Sequence, residues 1–456
     1  MNTLTGPVHL VGIGGMHMSA IGQLLREKGV AVTGSDLRRS AFTERLEEMG
    51  ATVFEGHDAA NLGNPTLVVT TAAASDDNPE LSEARRRGIP VILRAEMVAR
   101  LMEGKRVVAV AGAHGKTTTS SLIAFILREA GLRPMYLLGG ESVDLAGHAA
   151  WGEGDICVVE ADEYKRAFHE YSPEVAVITN VEADHLDYYG TAEAYTEAFV
   201  VFARRVKPGG LLLACADDPG ARAVSEMAED LPLRTEWYGL EGTRYWLATN
   251  VRMDERGATF DVQRGGGPVG EIRVRLPGRH FVLDALAAAA VCLELGVPFT
   301  VVAEAAARFQ GARRRFETVG EAGGVVVMDD YAHHPTEVRA TVATARQRFP
   351  GRRLIGVYQP HTYSRISYLW DEWTRCWEGL DALVVLETYA AREAPLPGRG
   401  ARDLAAAITR PAASYAADFD DAARQAAALA KPGDVVFTIG AGDVVEVGPK
   451  ILEALR

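Results

Sequence analysis

The sequence predicts an α/β protein of about three domains built on mostly parallel sheets, and two observations carry that prediction. Short apolar runs of strand character alternate with segments of helical periodicity along most of the 456 residues. Glycines and polar residues gather just after the strand-like runs, at the edge where parallel sheets present their ligands. With 48% hydrophobic residues, the chain has ample material for the cores this requires.

The first hundred residues show the alternation. Val8 to Ile13 reads as a strand running into Gly12-Ile13-Gly14-Gly15-Met16-His17-Met18-Ser19, and Ala20 to Lys28 as a helix. Val30 to Thr33 is a second strand, ending at Gly34-Ser35-Asp36; Leu67 to Thr71 and Val91 to Leu93 follow, with helices at Thr43 to Met49 and Pro79 to Arg87. Glycines at a strand-to-helix turn, with an acid at the tip of the next strand, make a Rossmann-like start. The Met16-His17-Met18 run stands where the third glycine of the dinucleotide fingerprint would fall. The turn therefore speaks for a phosphate or pyrophosphate on the helix N-terminus and leaves open whether NAD or a UDP group carries it. Glu103-Gly104-Lys105 is a polar break, and the first domain is expected to span 1–104.

The stretch Val107 to Thr119 is the strongest chemical signal. An apolar strand ends in Gly112-Ala113-His114-Gly115, after which Lys116, Thr117, Thr118 and Thr119 open a helical segment, Ser120 to Ala130. Gly112 and Gly115 let the backbone aim N–H groups at an anion, Lys116 can reach outer phosphates, and the Thr117 hydroxyl can ligate Mg²⁺. Val110 occupies the place of the first glycine of the general pattern, so this is a short Gly-x-x-Gly-Lys-Thr form. Asp155 to Val159 delivers Glu160-Ala161-Asp162-Glu163 at a strand end, where a nucleotide-bound Mg²⁺ is commonly held, and Glu160 is the first choice of ligand. Val175 to Thr179 leads to Asn180 through Asp187, in which His185 stands among acids and can ligate a metal.

Composition excludes several classes. A formal net charge of −13 argues against an extended nucleic-acid or anionic-membrane surface. Cys157, Cys215, Cys292 and Cys376 are far apart and read as reduced thiols. Met1 to Leu10 lacks the form of a secretory leader, and no apolar run reaches membrane-spanning length, so a cytoplasmic protein is expected.

The C-terminal third alternates again: strands at Val325 to Met328, Leu354 to Tyr358, Leu383 to Leu386 and Val435 to Ile439, with a helix from Thr336 to Arg348. Taken together with Leu-Pro-Gly-Arg-His (276–280), Gly-Ala-Arg-Arg-Arg-Phe (311–316) and Asp-Asp-Tyr-Ala-His-His-Pro-Thr-Glu (329–337), the phosphate loop and the two acidic motifs resemble, in order, the motifs of the Mur ligases over essentially the whole chain. The opening Gly-Ile-Gly-Gly, the run Tyr358 to Arg365 and Glu393 to Gly398 resemble most the branch that joins L-alanine to UDP-N-acetylmuramate. Its rival within the family recycles whole peptides onto the same sugar, and a rival of another class is an NAD-linked oxidoreductase using the first glycine turn.

What the resemblance implies is an ATP- and Mg²⁺-dependent, amide-forming ligase of peptidoglycan precursor synthesis, monomeric or homodimeric. A Rossmann-like domain (1–104) would bind the UDP-sugar through Gly12, Gly14, Gly15, Ser19 and Asp36. A central phosphate-loop ATPase domain (105–312) would place Gly112, Ala113, His114, Gly115, Lys116, Thr117 and Thr118 on ATP, with Thr117 and Glu160 on one Mg²⁺ and His185 on a second. A Rossmann-like C-terminal domain (313–456) would bring Asp330 to the ribose, Arg315 to the phosphates, and His333 with Arg365 to the amino acid. Asn180 and His280 are second-tier candidates. The chain departs from the family pattern at Ala113, usually Thr; at Phe281 and Asp284, usually Asn, the latter being the expected adenine contact; at Lys165, commonly an acid; and at Thr362, often Arg.

Overall fold

The computed structural model describes residues 6–456 except Ala73, Ala146, Thr243 and Arg392, so Met1 to Thr5 of the N-terminal reading lie outside the described residues. The chain forms two compact units, one of Met1–Glu182, Thr196–Tyr238 and Ala287–Ala305, the other of Ala183–Tyr195, Gly239–Leu286 and Ala306–Arg456.

The first unit opens with a parallel sheet of β1 (Val8–Val11), β2 (Val32–Asp36), β3 (Thr52–Glu55), β4 (Leu67–Thr70) and β5 (Val91–Leu93), in the order β3-β2-β1-β4-β5. Val8 pairs with Val32 on one side and Leu67 on the other, so the order reverses beside β1, and the crevice at its C-terminal end is where such sheets take ligands. β1 stops at Val11, two residues before the expected end, because Gly12 turns the chain at φ +83°. The helix Met16–Glu27 begins four residues earlier than expected; Met18 and Ser19 in its first turn are buried. β2 runs on through Gly34-Ser35-Asp36, where the sequence reading had the strand ending, and Asp36 stands at its tip. A Cβ on Gly34 would lie 2.6 Å from the Leu10 carbonyl oxygen, so this glycine serves close strand approach.

The same unit contains seven strands in the order β12-β11-β10-β6-β9-β7-β8: β6 (Arg106–Ala111), β7 (Met135–Ser142), β8 (Gly147–Ala150), β9 (Ile156–Glu160), β10 (Val175–Ile178), β11 (Leu211–Cys215) and β12 (Arg234–Gly239). β6 lies between β10 and β9 and is parallel to both, with Val110 opposite Val177 and Glu160. Both faces are covered, which is why its residues Val107 to Ala111 form a continuous buried run. The helix after the phosphate loop starts at Lys116, four residues before the expected Ser120, because Gly115 caps it in the left-handed conformation.

In the second unit β13 (Trp246–Asp254), β14 (Gly257–Arg264) and β15 (Gly267–Val274) form an antiparallel meander, and six strands form a sheet ordered β16-β17-β21-β18-β19-β20. These are β16 (Glu317–Ala322), β17 (Val325–Asp330), β18 (Leu354–Tyr358), β19 (Ala382–Leu386), β20 (Ala413–Ala416) and β21 (Val435–Ile439). All pairs but β16 with β17 are parallel. Alternate residues feed two cores: Met328, Tyr358 and Phe437 pack with Trp373 and Trp377 on one face, and Val327, Val357 and Val436 with Ile451 on the other. Truncating either tryptophan to alanine would cost about 3–5 kcal/mol. The helix Pro335–Arg348 is capped by His334, whose ring accepts from the Thr336 amide while Glu337 reaches back to the His334 amide.

All four cysteines are free and buried. Among the described residues no helix is long and apolar enough to cross a membrane.

Candidate active site

The phosphate loop is built tightly. Gly112 has φ +145°, and a Cβ there would lie 1.9 Å from the Thr179 hydroxyl. Asn180 clamps the loop by accepting from the His114 amide at 2.8 Å and donating to its carbonyl at 2.9 Å, which makes this second-tier candidate a loop-holding residue. The His114 ring lies 2.9 Å from Glu182. Lys116 donates to the carbonyls of Gly112 and Ala113 and pairs with Glu163 at 2.9 Å, both side chains being largely buried. Burial alone would lower the Lys116 pKa, but Glu163, then Glu160, hold it above the ordinary lysine range, so it stays a cation. Thr117 donates to Glu160 at 2.8 Å, and the same carboxylate oxygen accepts the Gly139 amide at 2.9 Å. A hydroxyl and a carboxylate converging in this way are hard oxygen donors of the kind Mg²⁺ takes.

The first glycine turn is used differently from the simplest expectation. Gly12 and Ile13 donate to the Ser35 carbonyl, Gly14 donates to the Asp36 carboxylate at 2.8 Å, and Gly15 turns back to Gly12. The donors left at this helix start are therefore the amides of residues 16–18, which have no carbonyl a turn earlier to bond. Ser19 donates to the Met16 carbonyl, and Asp36 shapes the loop. His17, in that turn, is held neutral: burial and then Arg94 bring its pKa down to about 3. Arg94 pairs with Asp162 at 2.7 Å. Lys165, with φ +52°, reaches the Ala72 carbonyl at 2.7 Å, which accounts for a cation where an acid was expected.

The second unit gathers the other candidates. Arg365 forks onto Asp184, Nη2 lying 3.0 and 3.2 Å from the two carboxylate oxygens and Nε 3.2 Å from one. Burial would raise the Asp184 pKa, yet Arg365, then His185 and His333, hold it far below the usual carboxylate range. His185 caps the helix Leu186–Tyr189 in the left-handed conformation, its amide bonded to Asp184 at 2.7 Å. The His333 ring lies 3.1 Å from the Tyr331 carbonyl and 3.2 Å from Glu337, and burial brings its pKa down to about 3. At neutral pH that ring is a weak base and an uncharged hydrogen-bonding group.

Asp330 holds the Phe316 and Ala332 amides at 2.8 and 2.9 Å and accepts from the Thr341 hydroxyl, and burial raises its pKa to about 6. Arg315 stands 3.5 Å from Glu337 and over the Tyr331 ring. Asp284 is buried, and Phe281, also buried, packs against His280 with ring centroids 4.1 Å apart. Burial, then Arg315, lowers the His280 pKa to about 4.

Lys116, Thr117 and Glu160 are thus brought together in one unit, and His185, Arg365 and His333 in the other. Sequence reasoning passed over Glu163 and Asp184, although both lay inside motifs it had singled out. It passed over Gly139 because a glycine in an apolar strand carries no chemical signal.

A strand, a glycine-capped loop, a lysine held as a cation and a hydroxyl–carboxylate pair define a phosphate-loop nucleotide-binding protein. The chain belongs to the Mur ligase family. Residues 7–106 match the family's "catalytic domain", 110–292 its middle domain and 314–442 its "glutamate ligase domain". The UDP-N-acetylmuramate–L-alanine ligase of Mycolicibacterium paratuberculosis is 44% identical, covering 98% of this chain and 95% of the relative. The enzyme of the same name from Mycobacterium marinum is 46% identical over 98% and 94%. Among solved structures, UDP-N-acetylmuramate–alanine ligase from Thermotoga maritima superposes with TM-score 0.83 at 28% identity, covering 98% of each chain. A murein peptide ligase from Psychrobacter arcticus gives 0.74 at 25% identity over 99% and 98%.

Proposed function

We propose that this chain is an ATP-dependent ligase that joins L-alanine to UDP-N-acetylmuramate in peptidoglycan precursor synthesis in the cytoplasm. The observation that carries the reading is the Lys116–Thr117–Glu160 arrangement, in a chain at least 44% identical over nearly its full length to two ligases named for these substrates.

The muramate carboxylate resists attack because resonance and hydration both stabilise it. Phosphoryl transfer from ATP forms a carboxyl–phosphate bond and releases ADP. The unprotonated L-alanine amine then attacks the acyl carbon, phosphate leaves with the bonding pair, and the amine's proton passes to solvent or phosphate. Lys116 holds phosphate oxygens as charge moves, a role of positioning and electrostatics. Thr117 and Glu160 would hold one Mg²⁺ and His185 a second, and the ions would neutralise and orient the phosphoryl oxygens. Residues 1–104 take the UDP-sugar with its pyrophosphate on the amides of residues 16–18, residues 105–312 take ATP, and residues 313–456 take the amino acid, in a monomer or homodimer.

The test is ADP release with ATP and UDP-N-acetylmuramate, with and without L-alanine, beside the same assay with the tripeptide. L-Alanine-dependent turnover is expected; turnover that prefers the tripeptide would move the chain to peptide recycling, and none with either would end the reading.

A further inference from the structure

The segment Ala183–Tyr195 follows β10 of the first unit in sequence yet belongs to the second, with the C-terminal sheet. Arg365 grips its second residue, Asp184. This guanidinium is 11% exposed and its partner Asp184 is 7% exposed, so the pair has little water to compete with it. Three of its N–O distances, from 3.0 to 3.2 Å, make a fork in which one planar cation grips both oxygens of one carboxylate. The carboxylate has a second task. Its Oδ1, the oxygen nearest to Arg365, also accepts the amide of His185 at 2.7 Å.

His185 needs this support. It is a non-glycine residue at φ +53° and ψ +37°, a strained left-handed conformation that persists only where surroundings hold it. It caps a helix of only four residues, too short to hold its own start. Released from Asp184, the backbone would relax toward a right-handed conformation and swing the imidazole away. In this fork Nε and Nη2 of Arg365 are both engaged by the Asp184 carboxylate.

We infer that Arg365 is a positioning residue for His185, acting through the Asp184 carboxylate, and so sets metal affinity at the His185 site. This rests on the reading of His185 as a ligand of the second metal ion, and the test separates the two.

Mn²⁺ is titrated by EPR into the full chain carrying a non-hydrolysable ATP analogue, for wild type, Asp184→Asn, Arg365→Lys, the double variant and His185→Ala; analogue affinity and thermal midpoint are measured alongside. Asp184→Asn and Arg365→Lys should each weaken the second Mn²⁺ by about tenfold or more with analogue affinity within twofold, and the double variant should be no worse than the weaker single one. Arg365→Ala, titrated in the same way, should weaken the second Mn²⁺ more than Arg365→Lys does, since lysine keeps the charge and loses only the fork. If His185→Ala abolishes the second Mn²⁺ while Asp184→Asn and Arg365→Lys leave it unchanged, the positioning role is wrong. If His185→Ala itself leaves the second Mn²⁺ in place, the ligand reading fails and the inference with it. Additive losses in the double variant would also overturn it, since two residues acting in one chain cannot contribute independently.

Discussion

Gly139→Ala should cripple catalysis while leaving the fold largely intact. The glycine amide donates to the Glu160 carboxylate, and a Cβ built on it would sit 2.1 Å from Oε1 and 2.4 Å from the carboxyl carbon. Ordinary contact begins near 3.4 Å, so the carboxylate or the strand must give way by more than about 1 Å. Glu160 is buried and tied to Thr117 at 2.8 Å, which leaves the displacement to fall on the pair itself. A misplacement of about 1 Å in a group that orients a phosphoryl transfer costs on the order of a hundredfold, or about 2.7 kcal/mol. Overpacking should cost about 1–3 kcal/mol of stability, read from a denaturant midpoint. The neighbour supplies the control: a Cβ on Gly140 would meet only the Thr117 methyl, at 3.2 Å, so Gly140→Ala should fall no more than a few-fold. Steady-state ADP release for both variants across a Mg²⁺ series is the assay. A Gly139→Ala enzyme with kcat within threefold of wild type at ordinary Mg²⁺ would refute the placement of Glu160 in the reaction.

Lys116→Ala should lose a hundredfold or more in kcat, about 3 kcal/mol, for want of its phosphate contact. Its partner Glu163 is only 2% exposed, so the variant should also lose about 3 kcal/mol of stability in a denaturant titration. Asp36→Ala frees the Gly14 amide and loosens the first glycine turn, and calorimetry should show UDP-N-acetylmuramate binding weakened about tenfold with ATP binding unchanged. His333 supplies a pH dependence. Its folded pKa of about 3 lies below the unfolded value, so the neutral ring's contribution is complete above about pH 6.5 and is lost as the pH falls toward 3. His333→Gln should flatten the stability profile across that window, measured as thermal midpoint against pH.

Strands made almost wholly of apolar residues were legible because burial on both faces leaves room for little else: β18 and β21 lie where the sequence places them, residue for residue. Helix starts at glycine turns were read late. Lys116 to Thr119 and Met16 to Ser19 are polar or mixed, and their helical state is imposed by Gly115 and Gly15 at the caps, which periodicity does not register. The meander β13 to β15 passed unread because its alternation of buried and exposed residues is broken by bulges between Thr249 and Arg252 and between Val262 and Gln263.

For the site, chemistry showed in the residue types and its geometry did not. A lysine, a threonine and a carboxylate at strand ends announce what they can bind, because few other roles need those types there. Which of them an intramolecular partner already occupies depends on contacts between residues far apart in sequence. Arg365 and Asp184 are separated by 181 positions, and nothing in either motif names the other. The same limit explains the first turn: glycines signal that backbone amides can face an anion, but whether they do depends on β2, whose Ser35 carbonyl and Asp36 carboxylate take three of them. A motif thus specifies a set of possible donors, and the neighbouring strand decides which remain for a ligand.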